Sequence, residues 1–353
     1  GKMKMLKTRI ITALILGSLL VLTILFKPAW FLFLSFLFIL VGIWEWFNLF
    51  SFDEIVDKTN EKIVYLTVFP IFFIVVIFMP ISWTVSNLYP LSDYQIPILN
   101  HSFIADVADH SPDSFFVWLF RPSHYAAMYA SLFFFWLVIP PLMIINYQKK
   151  LFHQTTTVIY SIDTNLKPKW LWRTLTIGPE ATVQSFMLGN FLLWGLWVSL
   201  YILLSMSPYI LLFFLLIVWS ADTAAYFSGK KYGKHILADN VSPGKTWEGV
   251  IGGLITGILA TFLALHFFRE FLSVDLFQAS PIKIILLSSV TVIYSIVGDL
   301  FISLIKRQTG KKDSGILFPG HGGVLDRIDS LMSGSVAFIF WGIFLDLFDF
   351  GLI

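Results

Sequence analysis

The chain has 353 residues, of which 57% are hydrophobic and only 13% are charged, and its net charge is +2. Soluble domains carry about 25% charged residues, so this chain has too few polar side chains to cover a soluble globular surface. Lipid must cover part of it, and a polytopic membrane protein is predicted. The sequence contains no Cys, which excludes disulfides and thiolate metal sites and leaves oxygen ligands for a hard ion such as Mg²⁺.

A helix that spans a membrane needs about 20 apolar residues, and scanning for such runs gives about nine candidates. They are residues 10–26, 29–50, 62–80, 125–145, 184–205, 208–228, 249–268, 282–305 and 331–348. Lys27-Pro28 separates the first two runs and Ser207-Pro208 separates the fifth and sixth, so each of these pairs is predicted to form a helical hairpin. The predicted fold class is therefore all-α, a membrane helical bundle with about nine transmembrane helices.

The runs divide the chain into two regions. Residues 1–183 would form an N-terminal membrane region with about four spans and two long loops, 81–124 and 146–183. Residues 184–353 would form a second membrane region with about five spans. Positively charged loops favour the cytoplasm, and with the N-terminus inside, 20 of the 24 Lys and Arg lie on the cytoplasmic side. The N-terminus is therefore predicted to be cytoplasmic.

The first polar cluster on the predicted cytoplasmic side covers residues 219–235. Asp222 lies inside a span, where a charge costs roughly 2.5–3.5 kcal/mol on insertion scales and normally faces a polar cavity. Tyr226 follows four residues later and shares its helix face. The alternative interpretation of Asp222 is a hydrogen-bond partner between helices.

The second cluster lies in the sequence Val241–Gly249. Gly244-Lys245-Thr246 is not a P-loop, because the pattern needs a glycine where the chain has Asp239. A short loop leading into a helix still offers backbone N–H groups and a cation to phosphate, although a capped helix start explains it equally well. The candidate loop residues are Ser242, Gly244, Lys245 and Thr246. Glycines then recur every four residues, at Gly249, Gly253 and Gly257, which predicts a close-packing helix face.

The third cluster covers residues 299–330. Asp299, Ser303 and Lys306 share one helix face, and Asp326 and Asp329 lie in the first turns of the last span. Carboxylates this close would repel one another, and a divalent cation would remove that repulsion. Basic residues and glycines complete the cluster: Arg307, Lys311, Lys312, Gly320, Gly322, Gly323 and Arg327. Solvated loop charge is the alternative for Lys311 and Lys312, but the cluster as a whole predicts a phosphate-and-metal site.

These residues resemble the signature of the phosphatidate cytidylyltransferase (CDP-diacylglycerol synthase) family. The matching positions are Ser303, Lys306, Arg307, Lys312, Asp313, His321, Gly322, Gly323, Asp326, Arg327 and Asp329. Residues 219–230 and 242–249 also resemble the family, and the resemblance covers roughly residues 184–349. It implies an enzyme of phospholipid biosynthesis, in which CTP and phosphatidic acid give CDP-diacylglycerol and pyrophosphate. Residues 184–353 would then be the catalytic membrane region.

The resemblance also implies roles for single residues. Asp299 and Asp326 would be the first-choice Mg²⁺ ligands, with Asp329 and Asp222 as supporting or second-metal ligands. Phosphates would be contacted by Ser303, Lys306, Arg307 and Arg327, and the nucleotide held by Lys230 and the Ser242–Thr246 loop. The remaining substrate-binding candidates are Tyr226, His321, Gly322 and Gly323, with His321 fixing the loop or contacting phosphate rather than acting as a base.

The expected partners are CTP, phosphatidic acid, the lipid bilayer and a second copy of the chain, and no nucleic acid. The expected location is the bacterial inner (cell) membrane, with the active site facing the cytoplasm. Another CTP-dependent lipid enzyme, either a lipid kinase or a related cytidylyltransferase, is the main alternative. A transporter in which Asp222 and Asp299 bind a coupling ion is disfavoured, because the sequence shows neither paired repeats nor broken helices.

Overall fold

The computed structural model describes residues 17–50, 132–145, 147, 183–315, 317 and 322–348. Within these ranges the chain forms eight helices and one two-stranded hairpin. In chain order they are α1 (Gly17–Phe26), α2 (Pro28–Leu49), α3 (Leu132–Ile145), α4 (Val183–Met206), α5 (Pro208–Tyr232), β1 (Ile236–Ala238), β2 (Ser242–Thr246), α6 (Trp247–Leu272), α7 (Pro281–Gln308) and α8 (Leu325–Phe344). Five of these helices, α2 and α4 to α7, contain a segment long and apolar enough to cross a membrane. The protein is therefore a mostly helical membrane protein, as predicted.

The predicted spans agree with these helices to different extents. The runs at 10–26 and 125–145 are described only over residues 17–26 and 132–145, and the run at 62–80 lies outside the described residues. Almost all of the two predicted long loops also lies outside them. The last helix begins at Leu325, before the predicted start at residue 331, so the acidic residues of its first turns are helical. The division at residue 183 stays a prediction.

Proline and serine set two helix boundaries where the sequence predicted them. Pro28 is at the first position of α2, and Pro208 is at the first position of α5. Proline suits this position because its missing N–H would have no helical partner there. The Ser207 side chain accepts a hydrogen bond from the Tyr209 N–H at 3.2 Å and caps α5. Helices α4 and α5 pack against each other.

The predicted glycine face of α6 packs closely against α5. Gly249, Gly253 and Gly257 are all buried. A Cβ added at Gly253 would lie 3.3 Å from the Cβ of Ala225 in α5, so the two helix backbones approach as closely as glycine permits. The opposite face of α6 exposes apolar side chains such as Ile255 and Leu263. Helix α6 thus turns its small residues inward and its large ones toward lipid.

Helix α7 is held between α6 and α8 by polar contacts as well as by packing. The Thr261 hydroxyl in α6 donates to the Ser288 hydroxyl at 2.8 Å, and the Ser333 hydroxyl in α8 donates to the Tyr294 carbonyl at 2.5 Å. Such hydrogen bonds join helices inside membranes, where a polar group without a partner is costly. Because both helices flank α7, its C-terminal end is fixed beside the start of α8.

The antiparallel β1–β2 hairpin between α5 and α6 was not predicted and is the exception to an all-α fold. Ile236 pairs with Thr246 and Ala238 pairs with Ser242. The Thr246 hydroxyl accepts a hydrogen bond from the Gly249 N–H at 3.1 Å and caps α6. The capped helix start considered from the sequence is therefore present, and the hairpin positions Lys245 just before it.

Candidate active site

A cavity of about 900 Å³ lies between the N-terminal helices and the C-terminal halves of α5 and α7. The sequence predicts that these C-terminal ends face the cytoplasm. One wall is apolar and comes from α1, α2 and α4; it includes Leu20, Phe31, Leu34, Phe38, Leu196 and Leu200. The other wall carries charge and comes from α5, the hairpin, α7 and α8; it includes Asp222, Lys245, Asp299, Lys306, Asp313, Asp326, Arg327 and Asp329. The cavity can therefore accept a ligand with both apolar and anionic parts.

Three of the predicted carboxylates form an inner acidic group from three different helices. Asp222 and Asp329 each lie close enough to Asp299 for their charges to interact. The Lys245 Nζ is 2.5 Å from Asp299 Oδ2, and its charge also reaches Asp222 and Asp329. The charge of Arg327 also reaches Asp222 and that of Lys306 also reaches Asp329, so the inner acidic group lies among three cations of the charged wall.

Asp326 belongs to a separate outer group at the start of α8. Its Oδ1 accepts from the Lys306 Nζ at 2.5 Å. Its Oδ2 accepts from the Ser314 N–H at 3.1 Å, the Ser314 hydroxyl at 3.0 Å and the Gly323 N–H at 3.0 Å. Both oxygens of Asp326 are therefore held by protein donors, of which three come from the segment before α8 and the fourth is Lys306.

The electrostatic state of Asp326 follows from these contacts. Asp326 lies in the first turn of α8, before the apolar run at 331–348 begins. Burial alone would raise the pKa of its carboxyl, but the hydrogen bond and charge of Lys306 and the N–H groups of Gly323 and Ser314 outweigh burial, so the pKa lies below its usual value. Asp326 is thus held as a carboxylate that fixes Lys306 at the cavity wall.

The metal prediction can be compared with this donor set. Three of the four predicted ligands, Asp222, Asp299 and Asp329, are hard oxygen donors in one group, which suits Mg²⁺. The residues fit the ion by the chemistry of their oxygen atoms and not by a ready-made geometry, because in the described part of the chain no three His, Asp or Glu side chains are already arranged to hold an ion. Asp326, predicted as a first-choice ligand, is the least available of the four because it already accepts four hydrogen bonds.

Several predicted residues do not line the cavity. The Arg307 Nε donates to the Val241 carbonyl at 3.2 Å, so this N–H joins α7 to the hairpin. Lys230 is exposed and lies 5.7 Å from the centre of the Tyr226 ring, while Tyr226, Gly244 and Thr246 do line the cavity.

The other predicted residues outside the cavity wall support those within it. The Ser303 hydroxyl donates to Asp299 Oδ1 at 3.4 Å, and Ser242 pairs within the hairpin. Gly322, with φ +82°, lies where a Cβ would overlap Asp326. Gly323 donates its N–H to Asp326, and His321 lies outside the described residues.

Sequence reasoning missed Glu45 and Ser314. Glu45 is in α2 and is only 5% exposed, yet its carboxylate accepts hydrogen bonds at the start of α8, from the Val324 and Leu325 N–H groups, both at 2.9 Å. The available signal was an acidic residue inside the apolar run at 29–50, which is as unusual there as Asp222 is in its own span. Ser314 carries no such signal, because serine is ordinary in a loop.

Comparison with known proteins identifies the family. The model of the cytidylyltransferase family matches residues 7–345. The chain is 49% identical over 136 residues to a phosphatidate cytidylyltransferase of Haemophilus influenzae, a match that covers 38% of this chain and 46% of the relative. It is 46% identical over 125 residues to one of Pseudomonas aeruginosa, covering 35% and 44%. A third, of Rickettsia bellii, is 37% identical over 153 residues, covering 42% and 65%.

These matches have a limited extent. The chain spans about half the length of the first two relatives it matches, whereas the family model spans nearly the whole chain. The resemblance seen in the signature of α7 and α8 is thereby confirmed. On the extent of the family match, this chain belongs to the cytidylyltransferase family.

Proposed function

We propose that this protein is a phosphatidate cytidylyltransferase, which transfers CMP from CTP to phosphatidic acid and gives CDP-diacylglycerol and pyrophosphate. The observation that carries the proposal is the two-sided cavity, in which an apolar wall from α1, α2 and α4 faces a charged wall from α5, α7 and α8. Such a site suits a lipid phosphate together with a nucleoside triphosphate, because the acyl chains need an apolar wall and the phosphates need a charged one. The names of the matched relatives support the same reaction.

In the proposed reaction a phosphate oxygen of phosphatidic acid attacks the α-phosphorus of CTP. A new P–O bond forms, the bond between the α-phosphorus and the oxygen bridging to the β-phosphorus breaks, and pyrophosphate leaves with that electron pair. Because a phosphate monoester has a second pKa near 6 in phosphorylated side chains, the attacking oxygen is largely ionised near neutral pH. The site therefore needs no strong general base.

The residues of the charged wall bind and orient the reacting phosphates in this proposal. Lys245 and Lys306 are fixed by ion pairs of 2.5 Å to Asp299 and Asp326, so their positions are set before substrate binds. Arg327 lines the same wall, and its planar guanidinium suits bidentate contact with phosphate oxygens. Preorganised cations of this kind stabilise the charge that develops on the leaving pyrophosphate.

Mg²⁺ is proposed as the metal, with Asp222, Asp299 and Asp329 as the residues that would hold it. When bound, the ion would neutralise phosphate charge beside the inner acidic group. Asp326 is then a residue that orients Lys306 rather than a first-choice ligand. Removal of divalent ions with EDTA should abolish turnover, and added Mg²⁺ should restore it.

The proposal includes a membrane arrangement. About nine transmembrane helices with a cytoplasmic N-terminus would place the charged wall at the cytoplasmic face of the bacterial inner membrane, where CTP is available. The excess of Lys and Arg in the predicted cytoplasmic segments supports this orientation. A homodimer is proposed from the family resemblance.

The test is an assay with purified protein, phosphatidic acid, Mg²⁺ and CTP labelled in the cytidine. Appearance of the label in the lipid fraction together with stoichiometric pyrophosphate is the expected result. Release of labelled CDP with phosphate on the lipid would instead identify a CTP-dependent lipid kinase. Label transfer to a different lipid acceptor, but not to phosphatidic acid, would identify a related cytidylyltransferase.

A further inference from the structure

Glu45 is a buried acidic residue that the proposed reaction does not use. It lies near the C-terminal end of α2 among apolar residues of that helix, and it is 5% exposed. Among the described residues its carboxylate has no Lys or Arg partner, and all of its hydrogen bonds come from the segment that leads into α8. Placing a carboxylate inside an apolar run costs free energy, so the groups that Glu45 contacts indicate which part of the structure it stabilises.

The first contact is a cap supplied from a distant helix. Helix α8 begins after Val324, whose side chain cannot cap it. Glu45 Oε1 accepts from the Val324 N–H and Oε2 accepts from the Leu325 N–H, each at 2.9 Å. Carboxylates are favoured at a helix N-terminus because the N–H groups there have no helical acceptors. Glu45 therefore fixes the first turn of α8, which carries Asp326.

The second contact links Glu45 to Asp326 through Ser314. The Ser314 hydroxyl lies 2.9 Å from Glu45 Oε2 and 3.0 Å from Asp326 Oδ2. A hydroxyl has one hydrogen to donate, so this oxygen is shared between two carboxylates and its position depends on both. Asp326 in turn holds the Lys306 Nζ at 2.5 Å. A continuous set of hydrogen bonds thus runs from α2 to a cation of the charged wall.

The surrounding backbone is shaped to admit Glu45. A Cβ added at Gly315 or at Gly323 would overlap a Glu45 carboxylate oxygen, so both glycines leave space for it. A second tether comes from Lys311, whose Nζ donates to the Asn48 carbonyl at the end of α2. Lys311 was considered a solvated loop charge, and this contact gives it a different role.

We propose that Glu45 is a positioning residue, which ties α2 to Ser314 and to the start of α8 and so sets the orientation of Asp326 and Lys306 for the transfer reaction. This inference rests on the proposed function for its catalytic part. Glu45 contacts neither substrate in this scheme, because it acts through Ser314 and the first turn of α8. The expected consequence of its loss is slower turnover with little change in the concentrations of CTP and lipid needed.

The test compares Glu45→Gln with Glu270→Gln, which makes the same change at an exposed position at the far end of α6. In Glu45→Gln we expect kcat to fall roughly 10- to 100-fold, since hydrogen bonds to charged groups carry that range, while both KM values change by less than about threefold. Glu270→Gln should keep wild-type kcat. Wild-type kcat in Glu45→Gln, or a loss that lies wholly in KM, would overturn the proposal.

Amide hydrogen exchange supplies a readout that needs no substrate. In Glu45→Ala, in lipid nanodiscs, exchange at Val324 and Leu325 should accelerate roughly 10- to 100-fold, while exchange in α5 and α6 stays unchanged. Uniform acceleration in all helices would show a general packing role and overturn positioning. If exchange responds as expected but wild-type protein makes no CDP-diacylglycerol, the proposed function fails while the contacts of Glu45 stand.

A double-mutant cycle isolates the link through Ser314. Because both residues act on Asp326 through the same hydroxyl, Ser314→Ala and Glu45→Gln should each lower kcat, and the double variant should lose less than the product of the two single losses. Independent effects that multiply would contradict this link.

Discussion

Variants at the Lys306–Asp326 pair can separate the contribution of these residues to stability from their contribution to turnover. The two side chains are 11% and 8% exposed and their charged atoms are 2.5 Å apart. Removing one partner of a buried pair costs about 3–5 kcal/mol, because the other charge is left without compensation. We therefore compare Asp326→Asn with the double variant Lys306→Met, Asp326→Asn.

The hydrogen bonds around Asp326 determine the two magnitudes. Asparagine offers one oxygen and one NH₂. If its oxygen accepts from Ser314 and Gly323, its NH₂ faces the Lys306 ammonium, and donor meets donor. The single variant should therefore lose about 3–5 kcal/mol of unfolding free energy. In the double variant the NH₂ faces an apolar side chain, the acceptor for Ser314 and Gly323 remains, and the loss should shrink to about 1–2 kcal/mol, the size of one hydrogen bond.

Thermal unfolding in detergent, followed by the fluorescence of buried tryptophans such as Trp46 and Trp194, measures stability, and CDP-diacylglycerol formation measures turnover. We expect the double variant to be more stable than Asp326→Asn and equally inactive, at least about 100-fold below wild type. Equal stability of the two variants would refute the reasoning about the pair. Near-normal turnover in either variant would show that this pair is a scaffold without a part in the reaction.

Three further predictions follow from other contacts. Lys245→Met removes the partner of Asp299 and should lower turnover roughly 100-fold or more. The control Lys231→Met, beside the exposed Tyr232 ring, should change turnover less than about threefold. An equal loss in both variants would mean that general surface charge matters instead. Gly252→Val places a side chain against Ser228 and should lower unfolding free energy by about 1–3 kcal/mol, whereas Gly244→Ala meets nothing within 4 Å and should leave the unfolding temperature unchanged. Because the chain has no Cys, Lys312→Cys and Arg269→Cys should react with an impermeant maleimide in oppositely oriented vesicles, and labelling from the same side would refute the proposed orientation.

Local sequence features were enough to predict most helix boundaries. Pro28 and Pro208 begin helices because proline lacks the N–H that a helix interior needs. Glycines at four-residue spacing predicted a close-packing face on α6, because close backbone approach depends on side-chain size, and the structure shows that α5 packs against this face. Each of these features acts within a few residues or along one helix face, so the local sequence is sufficient to predict the helix boundary or the packing face.

Features that depend on distant contacts could not be predicted in the same way. Glu45 and Val324 are 279 positions apart, and no periodicity or motif relates a carboxylate in one span to the N–H groups of another. The hairpin strand Ser242–Thr246 contains proline and glycine, which are depleted in strands, so its strand conformation comes from pairing with Ile236–Ala238. Helix spacing relates Asp299 to Ser303 but not to Asp222, so the prediction that Asp222 joins Asp299 and Asp329 depended on the family resemblance.

The role of Asp326 as a metal ligand stays a prediction, and its contacts suit an anchoring role as well. Its place in the motif suggests a metal ligand, yet its oxygens are occupied by Lys306, Ser314 and Gly323. Asp222, which comes from an earlier helix, is beside Asp299 instead. Asp326 lies at the start of α8 and accepts from the backbone N–H groups of Ser314 and Gly323, whereas Asp299 lies within α7 and accepts from the side chains of Ser303 and Lys245.

The two regions predicted from the sequence are therefore not independent parts of the site. Helices α1 and α2 supply the apolar wall of the cavity together with α4, and α2 also supplies Glu45 to the first turn of α8. The signature lies entirely beyond residue 183, so sequence resemblance directs attention to the charged wall alone. The proposed reaction between a lipid and a nucleotide needs both walls at a fixed separation, and the hydrogen bonds from Glu45 join α2 directly to the helix that carries Asp326.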